Sequence, residues 1–158
     1  MRGLEFFVAA AMSVAAVTVA VACPDKTAWG ETYEATGADL YSAKGADVVA
    51  GGSNRLANCP IRAKNYSGRL PGYVATRPDF SIRITRLGSY SLAIRTDGDC
   101  DTTLLVNTAS ENWYFDDDDN GAGQAEIFLT RPSEGIYDFW IGTYDNQTCN
   151  ARLTLETY

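Results

Sequence analysis

A run of alternating apolar and polar residues decides the fold class of this chain: Phe80-Ser81-Ile82-Arg83-Ile84-Thr85. After Leu87-Gly88-Ser89 the alternation returns as Tyr90-Ser91-Leu92-Ala93-Ile94-Arg95. Because successive side chains of an extended strand point to opposite faces, a period of two indicates a strand with one buried face. The stretch therefore predicts two half-buried antiparallel strands around a glycine-containing turn.

Further strands are predicted toward the C-terminus, separated by segments rich in Asp, Gly, Ser, Asn and Pro: residues 103–107, 112–116, 126–130, 136–143 and 151–157. No segment has a sustained helical period. Strands with one apolar face must bury it against another such face, so we predict an all-β, two-sheet antiparallel β-sandwich. We expect its interior to contain Leu92, Leu104, Ile127, Phe139 and Leu153.

The N-terminal part of the chain has weaker patterns. Residues 23–37 are polar and mixed, which predicts an arm rather than a strand. Residues 39–50 predict a short hairpin, and residues 60–71 predict a surface loop. A chain of 158 residues without its leader is too short for two ordinary domains, so we expect one domain over residues 38–158.

The first residues have the features of an export signal. An apolar run over residues 6–21 follows Arg2, and Ala20-Val21-Ala22 has the small residues of a signal-peptidase site. We therefore predict a signal peptide over residues 1–22 and a secreted or periplasmic protein. The run is short for a spanning helix of about 20 residues, and no later segment is long and apolar, so no membrane span is predicted.

The four cysteines of an exported chain predict two disulfides, for which three pairings are possible. We favour Cys23–Cys59 and Cys100–Cys149, in which each bridge closes its own half of the chain. The alternative is a bacterial lipoprotein acylated on Cys23, since a small residue precedes that cysteine. That alternative leaves Cys59 as an odd thiol.

Composition excludes several classes of function. The formal net charge of −7 argues against nucleic acid or an anionic membrane surface as a partner. The chain contains no His, which excludes Ser-His-Asp, Cys-His and His-ligated zinc sites. A hydrolase that uses paired carboxylates stays open because Asp and Glu are plentiful, but no such pair stands out. We therefore predict no catalytic residue.

The sequence feature that most clearly indicates a specific chemical role is an acidic run after an aromatic strand: Trp113-Tyr114-Phe115-Asp116-Asp117-Asp118-Asp119-Asn120-Gly121. Oxygen side chains at alternate positions before a glycine are typical of the start of a calcium loop. The twelfth position from Asp116 is Ile127 rather than Glu, so this is not the helix-loop-helix calcium motif. On a sandwich, carboxylates from several connections can converge, and the predicted calcium ligands are Asp116, Asp117, Asp118, Asp119, Asn120 and Asp101. A solvated acidic turn is the alternative.

Aromatic residues near the predicted strands could stack on a ligand. We predict a ligand-binding face formed by Trp113, Trp140 and Tyr144. The alternation over residues 136–143 puts Trp140 on the opposite face from Phe139 and its apolar neighbours. Packing of these rings within the sheets is the alternative.

The order of these segments resembles the bacterial pre-peptidase C-terminal domain. The shared features are an Asp before the apolar strand Thr103-Leu104-Leu105-Val106, an Asp-rich loop after Trp113-Tyr114-Phe115, and the strand Gly135-Ile136-Tyr137 before the closing strand Ala151-Arg152-Leu153-Thr154-Leu155. The resemblance covers residues 79–158 and is faint over residues 38–72. It implies a secreted, jelly-roll-like sandwich, with calcium in some members and binding to extracellular polymers in a few. The family's metal ligands carry over to residues 116–119 and to Asp101.

The acidic loop and the resemblance together predict a secreted, non-catalytic, calcium-supported module. We expect it to bind or stabilise an extracellular or periplasmic protein or polysaccharide. Family members usually follow a catalytic domain, whereas this sandwich follows the predicted signal peptide, which favours a free-standing module. Two alternatives stay open, a structural envelope protein without a small ligand and a carboxylate-dependent hydrolase.

Overall fold

The computed structural model describes residues 22–158, so the predicted signal peptide lies outside the described residues except for Ala22. Eleven strands and two short 3-10 helices, Asp39–Tyr41 and Leu56–Asn58, make up the regular structure of this range. The strands form two packed sheets. The predicted all-β sandwich is therefore confirmed.

The larger sheet has seven strands: β1 (Glu31–Thr36), β3 (Asn54–Arg55), β4 (Tyr73–Val74), β5 (Phe80–Thr85), β7 (Thr102–Asn107), β8 (Trp113–Asp116) and β10 (Gly135–Thr143). Strand β10 is central, because it pairs antiparallel with β5, β7 and β4. Strand β8 pairs with β7, and β3 pairs with β4. Strand β1 runs parallel to β5, so this sheet is mixed rather than wholly antiparallel as predicted.

The smaller sheet is antiparallel throughout and has four strands: β2 (Lys44–Ala50), β6 (Leu92–Gly98), β9 (Glu126–Leu129) and β11 (Cys149–Thr157). Their order across the sheet is β2-β11-β6-β9. The strands predicted from residue 103 onward all form, with bounds within two residues of those expected.

The main core lies between the sheets and is built from the inward residues of the alternating strands. Phe80, Ile82 and Ile84 of β5 are buried there. The predicted interior residues are each at most 2 % exposed: Leu92, Leu104, Ile127, Phe139 and Leu153. The faces assigned from the alternation are thus confirmed.

The two strands whose alternation decided the fold class do not pair with each other. Strand β5 belongs to the larger sheet and β6 to the smaller one. The chain changes sheet in residues 86–91, where Arg86 and Gly88 have φ angles of 51° and 50°. Alternation determines which face of a strand is buried but does not identify its partner, because either arrangement buries the same face.

The N-terminal segment contains a strand where an arm was predicted. Strand β1 is polar in sequence and exposed along most of its length, so it gives no apolar signal. Its backbone pairs with β5, and the ring of Tyr33 lies 6.1 Å from that of Phe80. The predicted hairpin over residues 39–50 is also wrong, because β2 pairs with β11 near the end of the chain.

A second apolar cluster covers part of the outer face of the larger sheet. The segment between β2 and β5 supplies Leu56, Ala63, Leu70 and Val74, which pack on Leu105, Phe115 and Trp140. Gly142 permits this close approach, since a Cβ there would lie 2.5 Å from the Tyr73 carbonyl oxygen. The predicted surface loop over residues 60–71 is therefore partly buried.

Both predicted disulfides form. Cys23 is bonded to Cys59 and Cys100 to Cys149, with Cα atoms 5.6 and 6.1 Å apart, and no cysteine is free. The sulfur of Cys23 is thus committed to a bridge, contrary to the lipoprotein alternative. Two disulfides are typical of an extracellular or periplasmic protein. Among the described residues, no helix has the length and apolar character needed to cross a membrane.

Burial of the main core gives a direct prediction. Leu104→Ala should lower the free energy of unfolding by about 2–5 kcal/mol, because Leu104 is fully buried and its truncation leaves a cavity. Val49→Ala is the control, since Val49 is 62 % exposed and its loss should stay within about 0.5 kcal/mol. Urea denaturation measures both variants, and equal losses would contradict the assignment of faces.

Asp79 directly precedes β5 and is hydrogen-bonded to both β10 and β1. Its Oδ2 accepts the backbone N–H of Ile141 at 2.8 Å, and its carbonyl oxygen accepts the N–H of Glu31 at 2.8 Å. Burial raises the pKa of the Asp79 carboxyl to about 7, although the hydrogen bond from Ile141 acts in the opposite direction. The ionised form is therefore held in the fold at a cost in stability.

The sign of the resulting pH dependence follows from linkage. An unfolded Asp has a pKa of about 3.9, so the folded state binds this proton more tightly and protonation stabilises the fold. That stabilisation is fully present below about pH 4 and is lost as the pH rises through about 7. Asp79→Asn keeps an oxygen for the Ile141 N–H. We expect it to be more stable than the wild type at pH ~8 by up to about 4 kcal/mol, and to match it near pH ~4.

Denaturant titrations of both proteins at the two pH values measure this difference. Asp97→Asn is the control, because Asp97 is exposed and its substitution should change stability equally little at both pH values. A stability difference between Asp79→Asn and the wild type that does not vary with pH would contradict the prediction.

Candidate functional site

Asp116 ends β8 and is buried at the rim of the sandwich. Its register partner on β7 is Leu104, which lies in the main core, so the Asp116 side chain also faces the smaller sheet. Its Oδ2 accepts the backbone N–H of Asp119 at 3.0 Å and that of Glu126, the first residue of β9, at 2.9 Å. A single carboxylate oxygen therefore links the two sheets.

The connection from β8 to β9, residues 117–125, is folded tightly against the smaller sheet. The Asn120 side-chain amide donates to the carbonyl oxygen of Thr96 in β6 at 2.9 Å. Gly121, Ala122 and Gly123 follow with φ angles of 75°, 51° and 72°. Glycine adopts this left-handed region freely, whereas Ala122 does so at a cost of about 1–2 kcal/mol. These bonds and turns hold the acidic residues at one end of the sandwich.

Three carboxylates converge in this loop. One oxygen each of Asp116, Asp117 and Asp118 can be chosen so that all three lie within 4.8 Å of one another. The three side chains run from buried through half-buried to exposed, so the group opens to solvent on one side. Asp119, in the same loop, and Asp101 are not members of this group. Asn120 also lies in this loop.

Asp101 reaches the same place from the connection between β6 and β7. A Cβ on Gly123 would lie 3.1 Å from the Asp101 carboxyl carbon, and the N–H of Thr102 donates to the Gly123 carbonyl oxygen at 2.9 Å. The carbonyl oxygen of Asp101 accepts the N–H of Tyr144 at 3.0 Å, next to the Cys100–Cys149 bridge. Asp101 therefore lies beside the acidic loop, and its role as a calcium ligand stays a prediction.

The carboxylates of this cluster repel one another. Burial raises the pKa of the Asp117 carboxyl, and the charges of Asp118, Asp116 and Asp101 raise it further. The pKa of Asp101 is raised by desolvation and then by Asp145 and Asp118. No basic side chain is among the causes acting on either group. A bound cation would therefore lower the electrostatic repulsion among these carboxylates.

This donor set fits a hard divalent cation. All the converging atoms are carboxylate oxygens, which Ca²⁺ and Mg²⁺ prefer, and the chain has neither His nor a free thiol. Two residues near the loop were not predicted from the sequence. The charge of Asp145 raises the pKa of Asp101, and the pKa of Tyr66 is itself raised by desolvation and then by Asp117. Neither carries a metal-binding pattern, so only the folded chain places them beside the loop.

The predicted aromatic face does not form as one surface. Trp140 is fully buried under the second apolar cluster. Trp113 is half-buried, with its ring 5.2 Å from that of Trp140, and only Tyr144 is exposed, at 47 %. Trp140 does lie on the outer face as expected, but that face is covered there. Its proposed contact with a ligand is therefore wrong.

Comparison with known proteins gives no match: no family model, curated protein or solved structure matches this chain. The resemblance to the pre-peptidase C-terminal domain stays a prediction.

The link that Asp116 makes between the sheets can be tested apart from any metal. Asp116→Ala leaves the backbone N–H groups of Asp119 and Glu126 without their acceptor. We expect the free energy of unfolding to fall by about 2–4 kcal/mol in chelator. Asp116→Asn keeps an oxygen at that position and should lose about 1 kcal/mol or less. Similar losses in the two variants, measured by urea denaturation, would contradict this role.

Proposed function

We propose that this protein is an exported, non-catalytic module in which a calcium ion holds the connection between β8 and β9. In this proposal the loop so held supports binding to an extracellular or periplasmic protein or polysaccharide. The observation that carries the proposal is the convergence of oxygens from Asp116, Asp117 and Asp118 within 4.8 Å, with Asp101 adjacent.

The physical argument is one of charge. Carboxylates that repel one another at the rim raise the free energy of the folded state, and a divalent cation between them removes that repulsion. An ion that binds only the folded chain stabilises it by about 2.7 kcal/mol at 100 times its dissociation constant. Magnesium should stabilise less, because it requires tight octahedral geometry and gives up its water reluctantly.

The kinship with the pre-peptidase C-terminal domain belongs to the same proposal. It is supported by the sandwich fold and by the order of β7, β8, β10 and β11, with the acidic loop directly after β8. A non-catalytic role is supported by the use of Asp116 as an acceptor for backbone N–H groups, which favours a structural task over acid–base chemistry.

Melting curves test the calcium site. We expect millimolar calcium to raise the midpoint of the wild type above its value in chelator, with a smaller effect of magnesium. Asp117→Asn combined with Asp118→Asn removes two of the converging carboxylates and leaves the bonds of Asp116 intact. This variant should be more stable than the wild type in chelator, because repulsion is relieved, and should respond little to calcium.

A matched control removes two exposed carboxylates from β1 and β2, the edge strands opposite β8 and β9. Asp47→Asn combined with Glu34→Gln makes the same change in net charge away from the loop, and its response to calcium should equal that of the wild type. The proposal fails if calcium leaves the wild-type midpoint at its chelator value. The named ligands are wrong if calcium stabilises the Asp117 and Asp118 variant as much as the wild type.

A further inference from the structure

A row of polar side chains crosses the outer face of the larger sheet, beside the second apolar cluster. Ser81 of β5 is the register partner of Asp138 in β10, which is in turn the partner of Asn107 in β7. Register partners on one face have Cβ atoms about 5 Å apart. The three side chains are 2 %, 8 % and 4 % exposed, respectively. They therefore form a buried polar strip next to a fully apolar one.

The hydrogen bonds of this row are incomplete. The Ser81 hydroxyl accepts the N–H of Gly30 at 3.0 Å and donates to Asp138 Oδ1 at 2.5 Å. Within residues 22–158 it is the one donor bonded to the Asp138 carboxylate. Asn107 Nδ2 is buried and has no partner in that range. A buried donor without an acceptor lowers the stability of the fold, so its presence calls for a reason.

Asn107 and Asp138 line a cavity of about 470 Å³, within the range of small-molecule sites. Trp29, which is 53 % exposed, lines the same cavity, and an ion pair between Lys26 and Glu111 lies at its edge. The other unpartnered buried atom of the described residues, Thr103 Oγ1, is packed closely against Gly72 and Gly142. Asn107 thus combines a missing partner with a place on the wall of a cavity, and a rotation of its amide about χ2 turns Nδ2, which is closed to solvent, toward that space.

We propose that this cavity binds the hydroxyl groups of a neutral saccharide. A hydroxyl can donate to the Asp138 carboxylate and, with the Asn107 amide rotated toward the cavity, accept from Nδ2, which completes both groups at once. An ammonium ion offers no acceptor to Asn107 Nδ2, and an anion is repelled by Asp138. The two basic side chains that line the cavity, Lys26 and Arg83, are paired with Glu111 and Glu34. The exposed ring of Trp29 provides a flat apolar wall for the C–H face of a sugar ring.

The surroundings suit a chain of sugars better than a single one. A second cavity of about 350 Å³ shares Trp29, Arg83 and Ile136 with the first. The backbone carbonyl of Trp29 is held by the guanidinium of Arg77, so the segment that carries the ring is anchored. Trp29 thus lines two adjoining cavities, in which consecutive residues of an oligosaccharide would lie.

This inference rests on the proposed role as a binding module but does not depend on calcium. Asp116 pairs with Leu104, which is three residues before Asn107 on β7, or about 10 Å along the strand. The two sites have no ligand residue in common. Saccharide binding and calcium stabilisation can therefore be measured separately.

The experiment uses the mature exported protein and neutral hexasaccharides of glucose, mannose and N-acetylglucosamine, with hexagalacturonate as the anionic comparison. Titration calorimetry in calcium and in chelator should detect binding of at least one neutral hexasaccharide, with equal affinity in both buffers, and no binding of hexagalacturonate. Asn107→Leu should weaken that binding at least about tenfold, while the melting temperature stays the same or rises because an unpartnered donor is gone.

Two aromatic variants complete the test. Trp29→Ala should also weaken binding at least about tenfold through loss of the stacking wall. Phe128→Ala removes an equally exposed ring, 54 % exposed against 53 %, from the smaller sheet, and should bind as the wild type does. Unchanged affinity in both Asn107→Leu and Trp29→Ala would overturn the assignment of this cavity.

Failure of all three neutral hexasaccharides to bind the wild type at millimolar concentration would also overturn the inference. Binding of hexagalacturonate with the same affinity as a neutral hexasaccharide would overturn it as well. If calcium still raises the melting midpoint in that case, the metal site stands without the saccharide site. If saccharide binds and calcium has no effect on melting, the saccharide site stands without the metal site.

Discussion

The structure depends on the burial of both faces of β10. Its inward residues, Tyr137, Phe139 and Ile141, fill the core between the sheets, while Trp140 on the outer face is covered by the segment between β2 and β5. A strand that is apolar on both faces needs a layer on each side. The second apolar cluster exists because Trp140 cannot be left in water. This coverage ends at Asp138, where the outer face turns polar.

Much of the sandwich could be predicted from the sequence because its signals are local. Alternation located the strands after residue 80 and gave the correct inward face for Leu92, Leu104 and Phe139. Cysteine spacing led to the right pairing of Cys100 with Cys149. The acidic run can be read directly from the sequence. Its approach to Asp101 was expected because carboxylates from several connections of a sandwich can converge. The strands and the acidic run are signalled by neighbouring residues, whereas the cysteine pairing and the approach of Asp101 were inferred from the number of cysteines and from the sandwich architecture.

What could not be predicted depends on pairing between distant segments. Strand β1 is held by backbone bonds to β5, and its polar sequence carries no mark of that. Asp138 and Asn107 look like ordinary outward residues of two strands, and only the register of β10 against β7 places them together. Trp140 was assigned to the correct face, but the cover over it comes from a segment with no apolar period. Register and coverage are properties of the folded chain.

The placement of the strands also determines when the fold can form. The central strand of the larger sheet, β10, and an internal strand of the smaller sheet, β11, are the last two strands of the chain. The partners β5, β7, β6 and β2 are therefore made first and have unpaired edges until residues 135–157 arrive. Such long-range pairing is slow to form and exposes strand edges in the meantime. A chain that crosses a membrane from its N-terminus could therefore complete neither sheet until residues 135–157 had crossed.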